Sequence, residues 1–166
     1  LLAAGCRVTD LGIVMTPTVG RAIVDGRYDG GISITASHNP AEWNGMKFLD
    51  DLGLAPDPAR AKQIVAIREE KKLRSVKHGF TRLRSDHAAG VRHAQAVLKC
   101  VEVDLSKLRG MKVVLDSING AGCIDTPGML RELGIEVIHL NGEANGHFAH
   151  RPEPVRENLQ QLCDAV

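Results

Sequence analysis

Four polar residues on either side of position 40 have the side chains that a phosphoryl-transfer site needs. Ser37, His38 and Asn39 are consecutive, and Lys47 follows ten positions after the serine. A serine hydroxyl is a weak nucleophile, and it reacts only with help from a base or with an activated group. Phosphoryl transfer is accelerated mainly by cations and hydrogen-bond donors that are positioned around the phosphate. Lys47 can supply the charge, and His38 and Asn39 can supply donors.

The flanking sequence predicts how these residues are positioned. Gly31-Ile32-Ser33-Ile34 is typical of a short buried strand, and residues 46–49 predict a second strand. Asn39-Pro40 and Asn44-Gly45 favour turns between them. A loop after a strand is where α/β proteins commonly bind ligands. An isolated Ser-His-Asn-Pro is more commonly an ordinary surface turn, but its place directly after a strand favours a functional loop.

The motif Thr35-Ala36-Ser37-His38-Asn39-Pro40, followed by Asn44-Gly45-Met46-Lys47, resembles the phosphoserine loop of the phosphohexomutases. This superfamily contains phosphoglucomutase and phosphomannomutase. The resemblance implies that Ser37 carries a phosphoryl group, donates it to a hexose phosphate and later takes one back. It implies catalytic roles for Ser37, His38 and Lys47, and a substrate-binding role for Asn39. Thr35 is more similar to the phosphoglucomutase and phosphomannomutase branch than to the phosphoglucosamine branch, where serine is usual.

The resemblance also implies that this sequence belongs to a longer parent polypeptide. The family holds Mg²⁺ in an Asp-Gly-Asp-x-Asp-Arg loop of its third domain, and this sequence has no such motif. Ser37, through its phosphate, would be the one metal ligand here, which is a poor site for an ion that prefers several oxygens. We expect the parent to interconvert hexose 1-phosphate and hexose 6-phosphate through a hexose 1,6-bisphosphate. We expect this sequence alone to be inactive.

The charged residues are unevenly distributed. The net charge is +1, but residues 60–99 contain eleven Lys and Arg against three acidic residues, a local excess of +8. This basic segment suggests a second hypothesis, in which a noncatalytic α/β binding or assembly module meets an anionic partner such as nucleic acid. A solvated helix face is the commoner explanation of such a run. Only Phe80 is available there for base stacking, so nucleic acid is the less favoured partner.

Composition is that of an ordinary globular protein, with 43% apolar and 25% charged residues. The cysteines are too widely spaced for a zinc site and are predicted to be buried, reduced thiols; they are Cys6, Cys100, Cys123 and Cys163. No apolar run approaches the roughly 18 residues of a membrane span, and no signal peptide is visible. We therefore predict a cytoplasmic protein without a membrane partner.

Two α/β units follow one another along the sequence. The first is predicted to contain a strand at 6–14, a helix at 16–26 with Thr16 as its N-cap, and a helix from 57 or 58 to 73. A helix at 87–101, capped by Asp86, opens the second unit. That unit continues with a strand at 111–116, a helix at 124–133, a strand at 135–140 and a helix at 155–166. Strand, helix and strand in that order predict parallel pairing.

The resemblance completes this fold prediction. It implies two α/β/α three-layer domains with mixed, largely parallel sheets, incomplete at both chain ends. The first would comprise residues 1–85 and contain the phosphoserine loop, and the second would comprise residues 86–166.

The second unit contains further polar residues that the sequence assigns to structure. Asn119-Gly120-Ala121-Gly122 lacks the full phosphate-binding fingerprints, so we predict a tight turn between strand and helix. His147, His150 and Glu153 form an incomplete zinc ligand set, because no fourth ligand is evident. His139 lies in an apolar strand and is predicted to be a hydrogen-bonded core histidine.

Overall fold

A computed structural model describes residues 1–70, 83–102 and 104–166. The strands are β1 (Thr9–Asp10), β2 (Gly31–Ile34), β3 (Met46–Leu49), β4 (Arg84–Ser85), β5 (Lys112–Asp116) and β6 (Glu136–Leu140). The helices are α1 (Thr16–Gly26), α2 (Pro58–Glu69), α3 (Ala89–Cys100), α4 (Gly122–Glu132) and α5 (Gln160–Ala165). Short 3₁₀ turns occupy Leu2–Ala4, Leu105–Leu108 and Arg156–Asn158.

The described strands form three two-stranded pairings. β1 pairs with β4 and β5 with β6, both in parallel, whereas β2 and β3 pair antiparallel. The predicted α/β class with mixed, largely parallel pairing is confirmed. The boundary predicted between residues 85 and 86 stays a prediction.

The β2–β3 hairpin has the strand bounds that the sequence predicts. Ser33 pairs with Lys47 and Ile34 with Met46. The expectation that β2 is buried is wrong, because only Ser33 is buried while Ile34 is 73% exposed. Ser33 faces α1, where its hydroxyl bonds Thr16 Oγ1 at 3.2 Å. Alternate residues of a strand point to the opposite face, and the described residues leave that face open.

Helix α1 packs on this hairpin and ends where the sequence predicts. Its N-cap is Met15 and not Thr16, which is the first helical residue. The Thr16 hydroxyl bonds Ser33 and therefore makes no cap. The helix ends in the left-handed conformation of Arg27, at φ 49°.

Contacts among α1, α3 and α4 join the two units. Thr18 Oγ1 lies 2.9 Å from His93 Nδ1, which links α1 to α3. The carboxylate of Asp125 in α4 lies directly against Gly90 of α3, where any larger side chain would overlap it. Burial raises the pKa of Asp125. These contacts set the position of the loop after β2 relative to β5 and β6.

Several elements differ from their predicted bounds. The strand predicted at 6–14 is reduced to β1, and the helix predicted at 155–166 is divided into a 3₁₀ turn and α5. In the 3₁₀ turn the Asn158 side chain donates to Glu153 O at 2.8 Å, a local bond that competes with the helix. Helix α3 begins at Ala89 with Ala88 as its N-cap, whereas Asp86 forms an ion pair with Arg92 and accepts from Ala88 N at 3.3 Å. Asp57 does cap α2, accepting from Arg60 N at 2.8 Å.

Several predictions fall partly or wholly outside this description. The end of α2 predicted near residue 73 and the middle of the basic segment lie outside the described residues, so the anionic-partner hypothesis stays a prediction.

The prediction of buried cysteines is wrong for three of the four, because only Cys123 is buried. Within the described ranges, every helix is too short or too polar to cross a membrane. The cytoplasmic location stays a prediction.

Candidate active site

Ser37 lies in a turn directly after β2, with its side chain exposed. Its backbone adopts φ 58°, a conformation that is uncommon for a residue with a Cβ. Two hydrogen bonds hold the turn. Ser37 N donates to Thr35 Oγ1 at 3.0 Å, and Thr35 N donates to Gly45 O at 2.9 Å. Strained backbone is tolerated where the surrounding structure enforces it, and it is concentrated at functional sites. The turn presents the Ser37 hydroxyl at its tip.

Asn39 braces this turn from within. Its backbone N–H and its side-chain Nδ2 both donate to Ala36 O, at 3.1 and 2.8 Å. Asn44 acts in the same way on the return side, where its Oδ1 accepts from Gly45 N at 2.9 Å. Both residues make the turns that the sequence predicts, and their hydrogen bonds stay within the loop.

Lys47 and His38 point to different surroundings. Lys47 is exposed on β3, opposite Ser33, and makes no ion pair with any described residue. No described hydrogen bond joins it to Ser37. His38 Nε2 lies 3.3 Å from Glu153 Oε2, in the loop that follows β6. The structure therefore places Ser37 and His38 at the junction of the two units, with Lys47 on β3 near the loop end of the hairpin.

A cleft of about 400 Å³ lies between the serine loop and the second unit. This volume is in the range of small-molecule sites. Ser37 and Trp43 line one wall, and residues 119–121 and 144–146 with Phe148 line the other. Of the four predicted site residues, Ser37 alone lines the cleft.

Asn119 organises the second wall of this cleft. Its Nδ2 donates to His147 O at 2.9 Å, and its Oδ1 accepts from Glu143 N at 3.0 Å. Its backbone adopts φ 57°. Gly120 N bonds Ser117 O at 2.8 Å, which confirms the predicted tight turn. His139 Nε2 bonds Ser117 Oγ at 2.9 Å, so this half-buried histidine is satisfied as predicted.

A buried carboxylate closes the end of β5. Asp116 has a 6% exposed side chain. Its Oδ1 accepts from Ile118 N at 2.9 Å and from Asn141 Nδ2 at 3.0 Å, and its Oδ2 lies 2.8 Å from His150 Nε2. Burial opposes ionisation, but the hydrogen bonds from Asn141 and His150 outweigh it and hold the pKa of Asp116 below its usual value.

The partners of His150 define its protonation state. Its Nδ1 lies 2.8 Å from Arg151 O, and its Nε2 faces the Asp116 carboxylate. Both partners are acceptors, so this arrangement favours the doubly protonated ring, in which each nitrogen donates. The hydrogen bonds to Asp116 and to Arg151 O raise the pKa of His150.

The sequence predictions missed the roles of Asp116 and Asn119 and the pairing of His150. The one available signal was the position of Asp116 at the carboxyl end of a predicted parallel strand, where loops converge. The zinc alternative for His147, His150 and Glu153 has no support in the described ranges, where no three His, Cys, Asp or Glu side chains gather as a metal site. The same residues do not by themselves form a magnesium site.

Comparison with known proteins accounts for both units. Residues 1–75 match the profile of phosphoglucomutase/phosphomannomutase, alpha/beta/alpha domain I. Residues 91–166 match the profile of domain II of the same family.

Curated relatives extend over the whole chain. A protein of Methanopyrus kandleri named "Probable phosphoglucosamine mutase" is 40% identical over all of this chain and 36% of its own length. A "Phosphoglucomutase/phosphomannomutase" of Thermococcus kodakarensis is 38% identical over all of this chain and 37% of its own length. The relative named for glucosamine and the relative named for glucose and mannose have similar sequence identity to this chain. The phosphoglucomutase and phosphomannomutase branch that Thr35 suggests therefore stays a prediction. The chain spans little more than a third of the length of these relatives.

A solved structure has the same fold. The crystal structure of a "putative phosphomannomutase" from Thermus thermophilus superimposes with a TM-score of 0.78 and 29% identity, over 98% of this chain and 37% of that one. The two domain profiles, the relatives and this superposition agree with the fold. The chain belongs to the phosphoglucomutase/phosphomannomutase family and comprises parts of its first and second α/β/α domains.

Proposed function

We propose that the full-length parent of this chain is a phosphohexomutase in which Ser37 carries the transferred phosphoryl group. The observation that carries the proposal is the position of Ser37, exposed at the tip of a strained turn on the wall of an open cleft of about 400 Å³. The substrate class is a hexose phosphate. Relatives named for glucosamine and for glucose or mannose are similarly close, so the proposal covers the class and not one sugar.

The reaction starts with phosphorylated Ser37. A hydroxyl oxygen of the bound hexose phosphate attacks the phosphorus, and the bond from phosphorus to Ser37 Oγ breaks. The attacking hydroxyl loses a proton and Ser37 Oγ gains one, so the products are a hexose 1,6-bisphosphate and free serine. Transfer of the other phosphoryl group back to Ser37 completes the isomerisation and restores the enzyme.

The neighbouring residues stabilise the charge that moves in this step. Lys47 has an exposed ammonium group without an ion-pair partner among the described residues, so its charge is available to a phosphate. It stabilises the transferring group or assists proton movement. His38 orients that group, and Asn39 contributes to substrate binding while it keeps the turn closed. Preorganised donors of this kind are the main source of catalysis in phosphoryl transfer.

Magnesium is part of the proposal for the parent and not for this chain alone. The described residues do not assemble a carboxylate cluster that could hold it. A phosphate on Ser37 offers oxygens, and the remaining ligands would come from outside this chain. For that reason we expect the chain by itself to be inactive.

Replacement of Ser37 in the full-length parent tests the proposal. Ser37→Gly removes the hydroxyl and accepts the positive φ without strain, whereas Ser37→Ala removes it with some strain. Both should reduce turnover of hexose phosphate to the assay background. Ser106→Ala, at an exposed serine outside the cleft, is the matched control and should keep full activity. Turnover by Ser37→Gly at the control rate would refute the proposal.

A further inference from the structure

A contact between a histidine and a carboxylate joins the serine loop to the second unit in the described part of the chain. It is formed by His38 Nε2 and Glu153 Oε2, 3.3 Å apart, with side chains that are 60% and 50% exposed. Exposed pairs of this kind contribute little to folding stability. Any importance of the contact must therefore lie in the orientation that it gives to His38, the residue next to Ser37.

The backbone that presents Glu153 is unusually well fixed. Pro152 and Pro154 flank it, and each proline ring fixes its own φ. Glu153 O accepts two hydrogen bonds, from Val155 N and from Asn158 Nδ2, both at 2.8 Å. The carboxylate therefore projects from a rigid turn.

The same turn is tied to the second unit. His150, three residues before Glu153, bonds the buried carboxylate of Asp116 at the end of β5. The position of Glu153 is thus set by the sheet of the second unit. Through Glu153, that sheet also places a carboxylate beside one ring nitrogen of His38.

The contact between Glu153 and His38 also affects which polar groups face Ser37. A glutamate close to a phosphoserine would repel it, but this carboxylate contacts the imidazole of His38 at Nε2. Because Nε2 faces Glu153, Nδ1 is the nitrogen left for another partner, and no described residue bonds it. A proton on Nδ1 is then available to a phosphoryl oxygen on Ser37.

We infer that Glu153 is a positioning residue, which holds His38 by Nε2 so that Nδ1 can serve the phosphoryl group on Ser37. This inference rests on the proposed function. It makes the second unit a contributor to catalysis, although that unit supplies no predicted catalytic residue.

A double-mutant cycle in the full-length parent tests the inference. Glu153→Ala should lower kcat by about two- to fivefold, the range expected for an exposed ion pair, with a smaller change in KM. Glu153→Asp keeps the charge and should recover part of the loss. Glu157→Ala removes an exposed carboxylate from the next turn and should leave both constants unchanged. In a His38→Ala background, Glu153→Ala should have no further effect.

Two outcomes would overturn the inference. One is a wild-type kcat for Glu153→Ala, and the other is the same loss in the presence and absence of His38. If His38→Ala has no measurable turnover, the ³¹P resonance of phosphorylated Ser37 provides the same cycle, with a shift expected in Glu153→Ala only when His38 is present. Failure of the proposed function is distinct, because it would appear as full activity of Ser37→Gly.

Discussion

Two loops of this chain follow β-strands and contain non-glycine residues at positive φ, but they are held in opposite ways. The serine loop after β2 is closed mainly by hydrogen bonds to its own neighbours, such as the two from Asn39 to Ala36 O. The loop after β5 is held by partners far along the chain. Asn119 bonds a residue 28 positions away, and Asp116 bonds one 34 positions away.

The difference separates two tasks. A loop fixed by local bonds at the surface can present a hydroxyl to a substrate without involving the core. A loop fixed by long-range bonds to a buried carboxylate serves as the fixed wall that the first loop faces. We therefore expect substitutions after β5 to lower stability, and substitutions in the serine loop to lower turnover at little cost in stability.

The largest effect on stability is expected for Asp116→Asn. The change removes a charge that accepts three hydrogen bonds at a nearly buried position, and it leaves His150 without its counter-ion. Breaking such a pair should lower the local opening free energy of residues 117–122 by about 2–4 kcal/mol. Amide hydrogen exchange of the full-length parent measures this quantity. Asp104→Asn, at an exposed carboxylate, is the control. Equal exchange protection of residues 117–122 in the two variants would contradict the role of Asp116 in holding this loop.

A smaller loss is expected for Asn119→Ala. The variant loses two side-chain hydrogen bonds to the 143–147 segment and places alanine at φ 57°. Together these should lower the opening free energy of that segment by about 1–3 kcal/mol. Asn119→Gly loses the same bonds without backbone strain, so the difference between the two variants gives the strain alone. Unchanged exchange in both variants would show that Asn119 does not hold the wall.

The loop after β5 should also depend on pH in a defined direction. The pKa of His150 is raised by the hydrogen bonds to Asp116 and to Arg151 O, so its stabilisation is present below the usual value of 6.5 and is lost as the pH rises through the raised value. The pKa of Asp116 is lowered, so its stabilisation is present above 3.8 and is lost as the pH falls. Local stability should therefore be greatest between these values.

Amide hydrogen exchange measures how the stability of this loop depends on pH, once the rates are corrected for the intrinsic effect of pH on exchange. The Asp116→Asn variant should lose the decline at low pH and show a weaker decline at high pH, because the hydrogen bond from His150 to Arg151 O remains. A decline on both sides that persists in Asp116→Asn would assign it to other groups.

The smallest effect on stability is expected in the serine loop itself. Asn39→Ala removes one exposed side-chain hydrogen bond, which contributes about 0.5–1 kcal/mol to local stability. Turnover should nevertheless fall, because the turn that presents Ser37 becomes looser. The comparison between the two loops would be reversed if Asn39→Ala left turnover unchanged but lowered local stability as much as Asn119→Ala does.

The sequence predicted the parts of this molecule that depend on local pattern. The bounds of α1, β2 and β3 follow from apolar spacing and turn residues, and β5 and β6 are displaced by only one residue. The serine loop was found because its motif is contiguous. The sequence predicts one helix over residues 155–166, but the structure has a 3₁₀ turn at Arg156–Asn158 before α5. The bond from the Asn158 side chain to Glu153 O at this turn is not visible in a periodic pattern.

The remaining features depend on pairing between distant residues. His150 was considered only as a weak metal ligand, because nothing in its own neighbourhood indicates a carboxylate 34 positions earlier. The pairing of His38 with Glu153 is hidden in the same way. The burial of the cysteines was predicted from residue type alone, whereas burial depends on which face of an element is covered.

The central claim is that Ser37 is the phosphoryl carrier, and the location of phosphate on the protein tests it most directly. The full-length parent is incubated with a hexose 1,6-bisphosphate, digested and analysed by mass spectrometry, with Ser37→Gly treated in parallel. We predict one added phosphate on the peptide that contains Ser37 and none on that peptide in Ser37→Gly. A phosphate on another residue, or an active enzyme whose Ser37 is never phosphorylated, would contradict the account.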